Sequence, residues 1–471
     1  MAIISESSSA AAAAAPGGAR APDTLARSLN VRDVVMITVS GVTPASSIFV
    51  IAPFAIQQAG SGAVMSFVLG GLLAFAFAFA LCYAELSAAH RSAGGEYVMV
   101  KRVFGALPGY LTFVAVLAVN VFIPAVLASG AAPYLNAALG TQLGNQSVAL
   151  AIVLASYALG ILNIRTNAWI TGAFLVIEIL VLALIAYLGF SEPHRSPLAL
   201  VHPVVANGAA LVPATLAAIM PAVGTAIFCY NGFGAAVFLA EDLEGGNRDI
   251  AKAVICSLAV ILVVELVPLT AIVLGAPSFV ELAKSADPIG YVVRALSNPG
   301  VSRVVSGGIF LSVFNAIIAI VIMVGRFLYS SGRHALWSHA CNGAFTRIHP
   351  RLESPWIATL TLAVPSTLLV FVSSLDALTA FTVDLLLLVY LAVGVAALAS
   401  RVMRRDVDHH YRMPWWPLPP IVAIAGAGYT LYTTIAAATK PTDLYIIAGL
   451  AAVSLAAYAR WARRSAAFRE L

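Results

Sequence analysis

Four carboxylates stand within or at the ends of long apolar stretches: Glu85, Glu178, Glu265 and Asp384. An ionisable side chain at membrane depth is expensive and is a functional candidate by default. Glu85 lies near the inner end of its stretch, where a structural or water-facing role accounts for it. Glu265 precedes Pro268 and faces either lipid headgroups or a neighbouring helix. Two other stretches carry neutral polar interruptions. One is Ser40-Gly41-Val42-Thr43-Pro44-Ala45-Ser46-Ser47, the other Phe228-Cys229-Tyr230-Asn231-Gly232-Phe233-Gly234. Such chemistry suits binding and proton movement rather than bond cleavage. No acidic metal cluster falls in an apolar stretch, His409-His410 sit in a basic loop, and no His lies near the intramembrane Ser and Asn to activate a nucleophile. The four cysteines (Cys82, Cys229, Cys256, Cys341) have no metal-like spacing, so neither a zinc site nor a disulfide framework is implied. No cofactor is expected, and the chain is not read as an enzyme.

The elements that must position these residues follow from composition. The chain has 471 residues, 61% hydrophobic and 10% charged, against about 45–50% and about 25% in a soluble domain. So few charges cannot cover a water-facing surface of this size. A spanning helix needs about 20 apolar residues, and twelve candidate spans result: 33–58, 64–88, 108–136, 147–163, 169–190, 214–240, 252–275, 303–332, 356–374, 378–400, 417–438 and 443–462. The fold class is an all-α polytopic membrane protein. Segment 278–298 is too polar to span and reads as a short surface helix in a loop. Residues 1–28, Ala/Ser-rich and without a basic leader region, read as a disordered cytoplasmic tail. The remainder, 29–471, reads as a single transmembrane domain.

The net charge of +5 is distributed as an orientation signal rather than a nucleic-acid patch. With the N-terminus inside, 21 of the 26 Lys and Arg fall in inner loops, and only Arg195, Lys284, Arg294, Arg303 and Lys440 fall outside. This asymmetry places both termini on the cytoplasmic side.

The first span carries Pro44 in its middle, which removes a backbone hydrogen bond and clashes with the preceding turn. The adjacent Gly, Thr and Ser can re-satisfy an unwound backbone. The sixth span is interrupted in the same way, with Asn231 186 positions beyond Ala45. That separation fits a five-plus-five inverted repeat whose broken helices 1 and 6 meet at a substrate site. Asn120 in span 3 and Asn315 in span 8, 195 apart, fit the same register. The repeats are then 29–190 and 214–400, followed by two C-terminal helices over 417–462.

Several runs, in order and on the expected spans, carry a resemblance. They are Ala45-Ser46-Ser47-Ile48-Phe49, then Gly94-Gly95-Glu96-Tyr97 with Arg102-Val103-Phe104-Gly105. Tyr230-Asn231-Gly232-Phe233 follows, with Ala240-Glu241-Asp242 and Asn247-Arg248-Asp249, and finally Asn315 through Gly325-Arg326-Phe327-Leu328-Tyr329. From about Leu29 to Leu471 the chain resembles the amino acid–polyamine–organocation superfamily of permeases, with the leucine-transporter type of fold.

The resemblance implies an amino acid ligand, and the local physics agrees. Free N–H groups near Ser46, Ser47 and Ile48, where the first span resumes, form an anion site for a carboxylate. Carbonyls around Val42, Thr43 and Cys229–Asn231 accept from an ammonium group, with Ala45, Tyr230 and Gly232 lining the same gap. The resemblance also implies Phe228 as an aromatic gate and Asn120 as a side chain reaching the substrate, while the repeat register alone makes Asn315 its counterpart. Simple packing for Phe228 and a helix–helix bond for Asn120 remain open. The chain departs from the family in two places. Ala45 and Ser47 replace glycines in span 1, and Gly234 stands where relatives handling cationic substrates often carry an acid.

Glu178 takes a position where proton-coupled relatives often have Lys. It either carries the coupling proton or ligates sodium, or it is a hydrogen-bonded group with no transport role. Asp384, in a span that lines the pathway of relatives, either holds a substrate amine or serves a gate or packing role. The reading is a secondary active permease moving amino acids across the inner (cytoplasmic) membrane by alternating access, proton-coupled or exchanging. A polyamine or small-amine permease is the alternative. A channel is disfavoured because paired broken helices suit alternating access better than a continuous pore. The expected partners are a small-molecule substrate, amino acid or amine, and the lipid bilayer, without nucleic acid; a homodimer is left open.

Overall fold

The structure, a computed structural model, describes residues 29–71, 76–89, 94–162, 164–207, 210–238, 243–244, 246–285, 287–372, 374–403, 411–437 and 442–470. The expected tail over 1–28, Ala240-Glu241-Asp242 and His409-His410 lie outside the described residues.

The chain begins with α1 (Val31–Val42), α2 (Pro44–Ser46), a π-helical turn (Ser47–Ile51) and α3 (Ala52–Ala59). Then come α4 (Gly62–Val68), α5 (Ala76–Ala89), α6 (Glu96–Phe104), α7 (Ala106–Leu139), α8 (Asn145–Gly160) and α9 (Ile164–Ser191). A hairpin of β1 (Val204–Asn207) and β2 (Ala210–Pro213) precedes α10 (Leu216–Cys229) and α11 (Ala235–Phe238). The second half holds α12 (Asn247–Gly275), α13 (Phe279–Lys284), α14 (Pro288–Leu296), α15 (Pro299–Arg333), α16 (His339–Phe345), α17 (Trp356–Val372) and α18 (Leu375–Val402). It closes with α19 (Leu418–Ala437), α20 (Thr442–Arg460) and α21 (Ala466–Glu470). Among the described residues, eight helices are long and apolar enough to cross a membrane, and five shorter apolar helices accompany them: Gly62–Gly71, Phe79–Ala89, Asn145–Gly160, Leu216–Cys229 and Trp356–Phe371. This is a multi-pass helical membrane protein.

Helix starts follow local chemistry. Asn30 Oδ1 accepts from the amides of Arg32 and Asp33 at 2.9 and 3.1 Å while Asp33 Oδ2 accepts from Asn30 N at 3.0 Å, a reciprocal capping box. Asn298 and Ser374 cap α15 and α18 in the simpler way.

Two details differ from the sequence reading. Segment 278–298 forms two helices rather than one, because Pro288 cannot continue a helix but is suited to begin one, and Asp287 Oδ1 caps it through Gly290 N at 2.8 Å. The hairpin was not foreseen in a chain read as all-α. Its strands lack alternation of apolar and polar residues, and tertiary bonds hold it: Ser61 N donates to Val204 O at 2.9 Å and Val204 N to Ser61 Oγ at 2.8 Å.

The core centres on the long helices α7 and α15, which pack against each other. Helix α12 packs on α9 and α5, and α2 is held among α9, α12 and α15. The interruption of the first span is therefore enclosed by three other helices.

Candidate functional site

Helix α1 stops at Thr43, which takes a left-handed φ of 51°, rare for a β-branched residue. Its amide closes on Val39 O at 3.2 Å. Pro44 then opens α2 with no N–H to satisfy. The amides of Ser46 and Ser47 turn back onto Thr43 O at 2.9 and 3.3 Å. This corrects the expected anion site, because two of its three amides are already bonded by a one-residue break that never unwinds further. The Ala45 amide, which was not among those three, donates to Glu178 Oε1 at 2.8 Å. A carboxylate from α9 thus caps the resumed helix, the arrangement that orphan amides and the helix dipole favour. Glu178 is fully buried, and its Oε2 has no partner.

The sixth span breaks beside the first. Ser47 Oγ donates to Cys229 O at 2.9 Å, and Cys229 Sγ approaches Ser47 O at 3.5 Å. Gly232 has φ 114°, and a Cβ there would stand 2.8 Å from a Val42 methyl, so only glycine fits this close approach. Tyr230 OH donates to Phe67 O at 2.9 Å, and Asn231 Oδ1 accepts from Tyr390 OH at 3.2 Å. Ile48 and Phe228 are buried beside these bonds.

From α15, Ser312 O lies 3.5 Å from Ser46 Oγ. Asn315 follows three residues later on the same helix face. It is fully buried, and neither its Nδ2 nor its Oδ1 has a partner. Asn120 instead bonds its own helix, Nδ2 to Val116 O at 2.8 Å. Asp384 Oδ1 accepts from Thr434 Oγ1 of α19 at 2.8 Å. The structure thus gathers Val42, Thr43, Ala45, Ser46, Ser47, Ile48, Cys229, Gly232 and Glu178 around one junction, with Asn120 and Asp384 bonded elsewhere.

Two further acids stand at the junctions: Glu96, which the sequence reading quoted only within a run, and Glu265, whose role it left open. Glu96 Oε1 lies 3.7 Å from where a Gly234 Cβ would be, and Tyr83 OH donates to it at 3.2 Å. An acid therefore stands in the layer next to Gly234, and its only sequence signal was the Gly94-Gly95-Glu96-Tyr97 run. Burial pushes the Glu96 carboxyl up from its usual value. The other is Glu265 of α12, fully buried with both oxygens unpartnered.

The two faces of the junction differ. Towards the basic loops, the rings of Phe79, Tyr83, Phe233 and Tyr390 pack with centroids 4.8–6.1 Å apart. On the opposite face a cavity of about 550 Å³ is lined by Phe49, Pro53, Tyr134, Gln146, Asp287 and Asp376. In its lining, Tyr134 OH donates to Phe49 O at 2.8 Å, in the π-helical turn itself. Among the described residues no three His, Cys, Asp or Glu gather as a metal site.

The family model described as amino acid permease matches residues 29–453. The branched-chain amino acid permease BcaP of Bacillus subtilis is 24% identical over 423 residues, 85% of this chain and 86% of the relative. The BcaP of Lactococcus lactis is 24% identical, covering 90% and 93%. The methylthioribose transporter of Bacillus subtilis is 22% identical, covering 87% and 89%. With helices that cross a membrane and two breaks meeting in its core, the chain belongs to the amino acid permease family and is a transporter of amino acids, not an enzyme.

Proposed function

We propose that the protein is a secondary active carrier that moves amino acids with small or branched apolar side chains by alternating access at the junction of the two breaks. The observation that carries this reading is the contact of the breaks at full burial, next to polar atoms without partners: both amide atoms of Asn315 and Oε2 of Glu178. An amino acid brings a carboxylate and an ammonium group, which need a donor and an acceptor of this kind. The branched-chain relatives support the apolar side-chain class. Polyamines and small amines, which lack the carboxylate, are the weaker alternative. Substrate reaches the junction from the cavity lined by Phe49 and Tyr134, while the aromatic layer around Tyr390 closes the other side. Phe228, Cys229, Tyr230, Asn231 and Gly232 line the sixth-span side of the site, and Asp384 buttresses it through α19. We place the carrier in the cytoplasmic membrane with twelve spans and both termini inside, on the strength of the Lys and Arg asymmetry.

Glu178 carries the coupling proton in this scheme. It joins α9 to the resumed first span, so loading or losing a proton alters the cap on Ala45 at the site itself. Proteoliposomes with an inward proton gradient test it. Wild-type protein accumulates leucine above equilibrium, and Glu178→Gln, which keeps an acceptor for Ala45 N, loses accumulation but retains leucine–leucine exchange. Unaltered concentrative uptake in that variant overturns the coupling role. Ohmic current instead of saturable uptake overturns the carrier.

A further inference from the structure

Glu265 is the ionisable side chain at the junction with both polar atoms unpartnered. It lies inside α12, fully buried, and neither carboxyl oxygen has a hydrogen-bond partner. The groups that act on it are the Ser47 hydroxyl from the π-helical turn, the Glu178 carboxyl from α9, and Cys229 and Tyr230 at the end of α10. No Lys, Arg or His is among them. An ionised carboxylate in such a place has no donor and a like-charged neighbour, which is costly. The geometry accommodates the neutral acid.

Ser47 makes this consequential. A serine hydroxyl has one proton to donate, and here it goes to Cys229 O at 2.9 Å. That bond ties the break of the first span to the break of the sixth. A Glu265 carboxylate would compete for the same proton, and a hydrogen bond to an ionised acceptor is roughly twice as strong as one to a neutral carbonyl.

We propose that Glu265 is a second proton-binding group of this carrier, and that its protonation state decides whether Ser47 ties the first break to Cys229. With the proton on, Ser47 serves Cys229 and the breaks stay clamped. When the proton leaves to water reaching the junction, the carboxylate takes the Ser47 hydroxyl and the clamp opens. By linkage, anything that opens the clamp also favours release of the proton. The proposal rests on the carrier reading but not on Glu178 as the coupling group, and its test needs no substrate.

The thiol of Cys229 reports the clamp, because it is buried against Ser47 and reachable only when the breaks part. In a background with Cys256→Ser and Cys341→Ser, the alkylation rate of Cys229 by N-ethylmaleimide is followed from about pH 5 to about pH 8. Ser47→Ala, which lacks the clamp, reacts faster than the parent at acid pH. The ratio of the two rates falls by about tenfold with rising pH, as the parent's clamp opens by itself. In Glu265→Gln the ratio stays constant. Ratios remove the ordinary thiolate pH dependence, which is common to all the proteins. A parent-to-Ser47→Ala ratio that does not change with pH overturns the switch even if Glu265→Gln fails to fold. Identical profiles for parent and a monodisperse Glu265→Gln overturn the assignment to Glu265. Ser47→Ala reacting no faster than the parent at acid pH overturns the clamp. Any of these can fail while the accumulation lost in Glu178→Gln stands.

Discussion

Glu85 and Glu265 are both fully buried glutamates in apolar helices, yet their surroundings are opposite. Glu85 receives Arg401 Nε at 2.6 Å, Arg401 Nη2 at 2.5 Å and the Met413 amide at 2.6 Å. It fastens α5 to the end of α18 and to the segment before α19. Glu265 receives nothing, and Glu178 receives one amide and keeps one oxygen unpartnered. A carboxylate fixed by a bidentate guanidinium and a backbone amide is a strut, and moving a proton onto it would forfeit all three bonds. A carboxyl with unspent oxygens is free to change state. The glutamate near the basic loops is fixed by three bonds, whereas the two at the central junction keep unpartnered oxygens, as the proposed switch requires.

The largest effect expected from this contrast follows from breaking the strut. Arg401→Leu leaves Glu85 buried and uncompensated, which costs about 3–5 kcal/mol. Thermal unfolding of the purified protein should fall accordingly, and the double variant Glu85→Leu/Arg401→Leu should recover most of the loss, since removing both charges also removes the desolvation penalty. Glu265→Leu alone should be close to neutral in the same measurement, because no bond is lost. Equal destabilisation by Arg401→Leu and Glu265→Leu would erase the distinction between strut and switch.

A smaller effect probes how closely the breaks must approach. Gly232→Ala introduces a methyl 2.8 Å from a Val42 methyl at a φ of 114°. The backbone strain and overpacking together cost about 1–3 kcal/mol, and they act at the junction rather than at the strut. Substrate affinity, read by exchange of leucine in proteoliposomes, should weaken more than the unfolding temperature falls. A variant that unfolds earlier but binds leucine unchanged would show that the contact of Val42 and Gly232 serves stability alone.

Much of this contrast was legible in the sequence, though unevenly. Pro44 and the Asn231-Gly232 pair marked both breaks, since a missing N–H and a left-handed φ are written in residue types. Glu178 stood out as an acid in an apolar span. Its partner did not, because Ala45 lies 133 residues away and offers only a backbone amide. The pairing of Glu85 with Arg401 spans 316 residues and was equally hidden. The free amides expected at Ser46 and Ser47 were misjudged because a single left-handed residue, Thr43, lets the next turn close at once. Glu96 was quoted only as part of a run, since its place beside Gly234 depends on how α6 docks.

The smallest effect tests the contact of the C-terminal segment through His334, at the end of α15. His334 Nδ1 meets Tyr97 OH at 2.8 Å, and its carbonyl accepts from Ser465 Oγ at 2.9 Å, which brings the C-terminal segment back onto α6. Lys101 joins the same contact, its Nζ donating to Arg469 O at 3.3 Å and lying 5.3 Å from the centre of the Phe468 ring. Burial, together with Arg333 and Lys101, lowers the pKa of His334 to about 4. An unfolded histidine titrates near about 6.5, so between about 6.5 and 4 the unfolded state binds more protons than the folded one. The contact therefore has its full stability above the upper value and loses it as pH falls towards the lower. Limited proteolysis at the C-terminal segment should accelerate on acidification across that window, and His334→Gln, which cannot take the charge, should remove the acceleration. The Glu85–Arg401 strut, which holds no histidine, should be untouched over the same range. If acid instead loosens α18 before it loosens α21, the C-terminal contact is the firmer of the two and His334 does not set its pH limit.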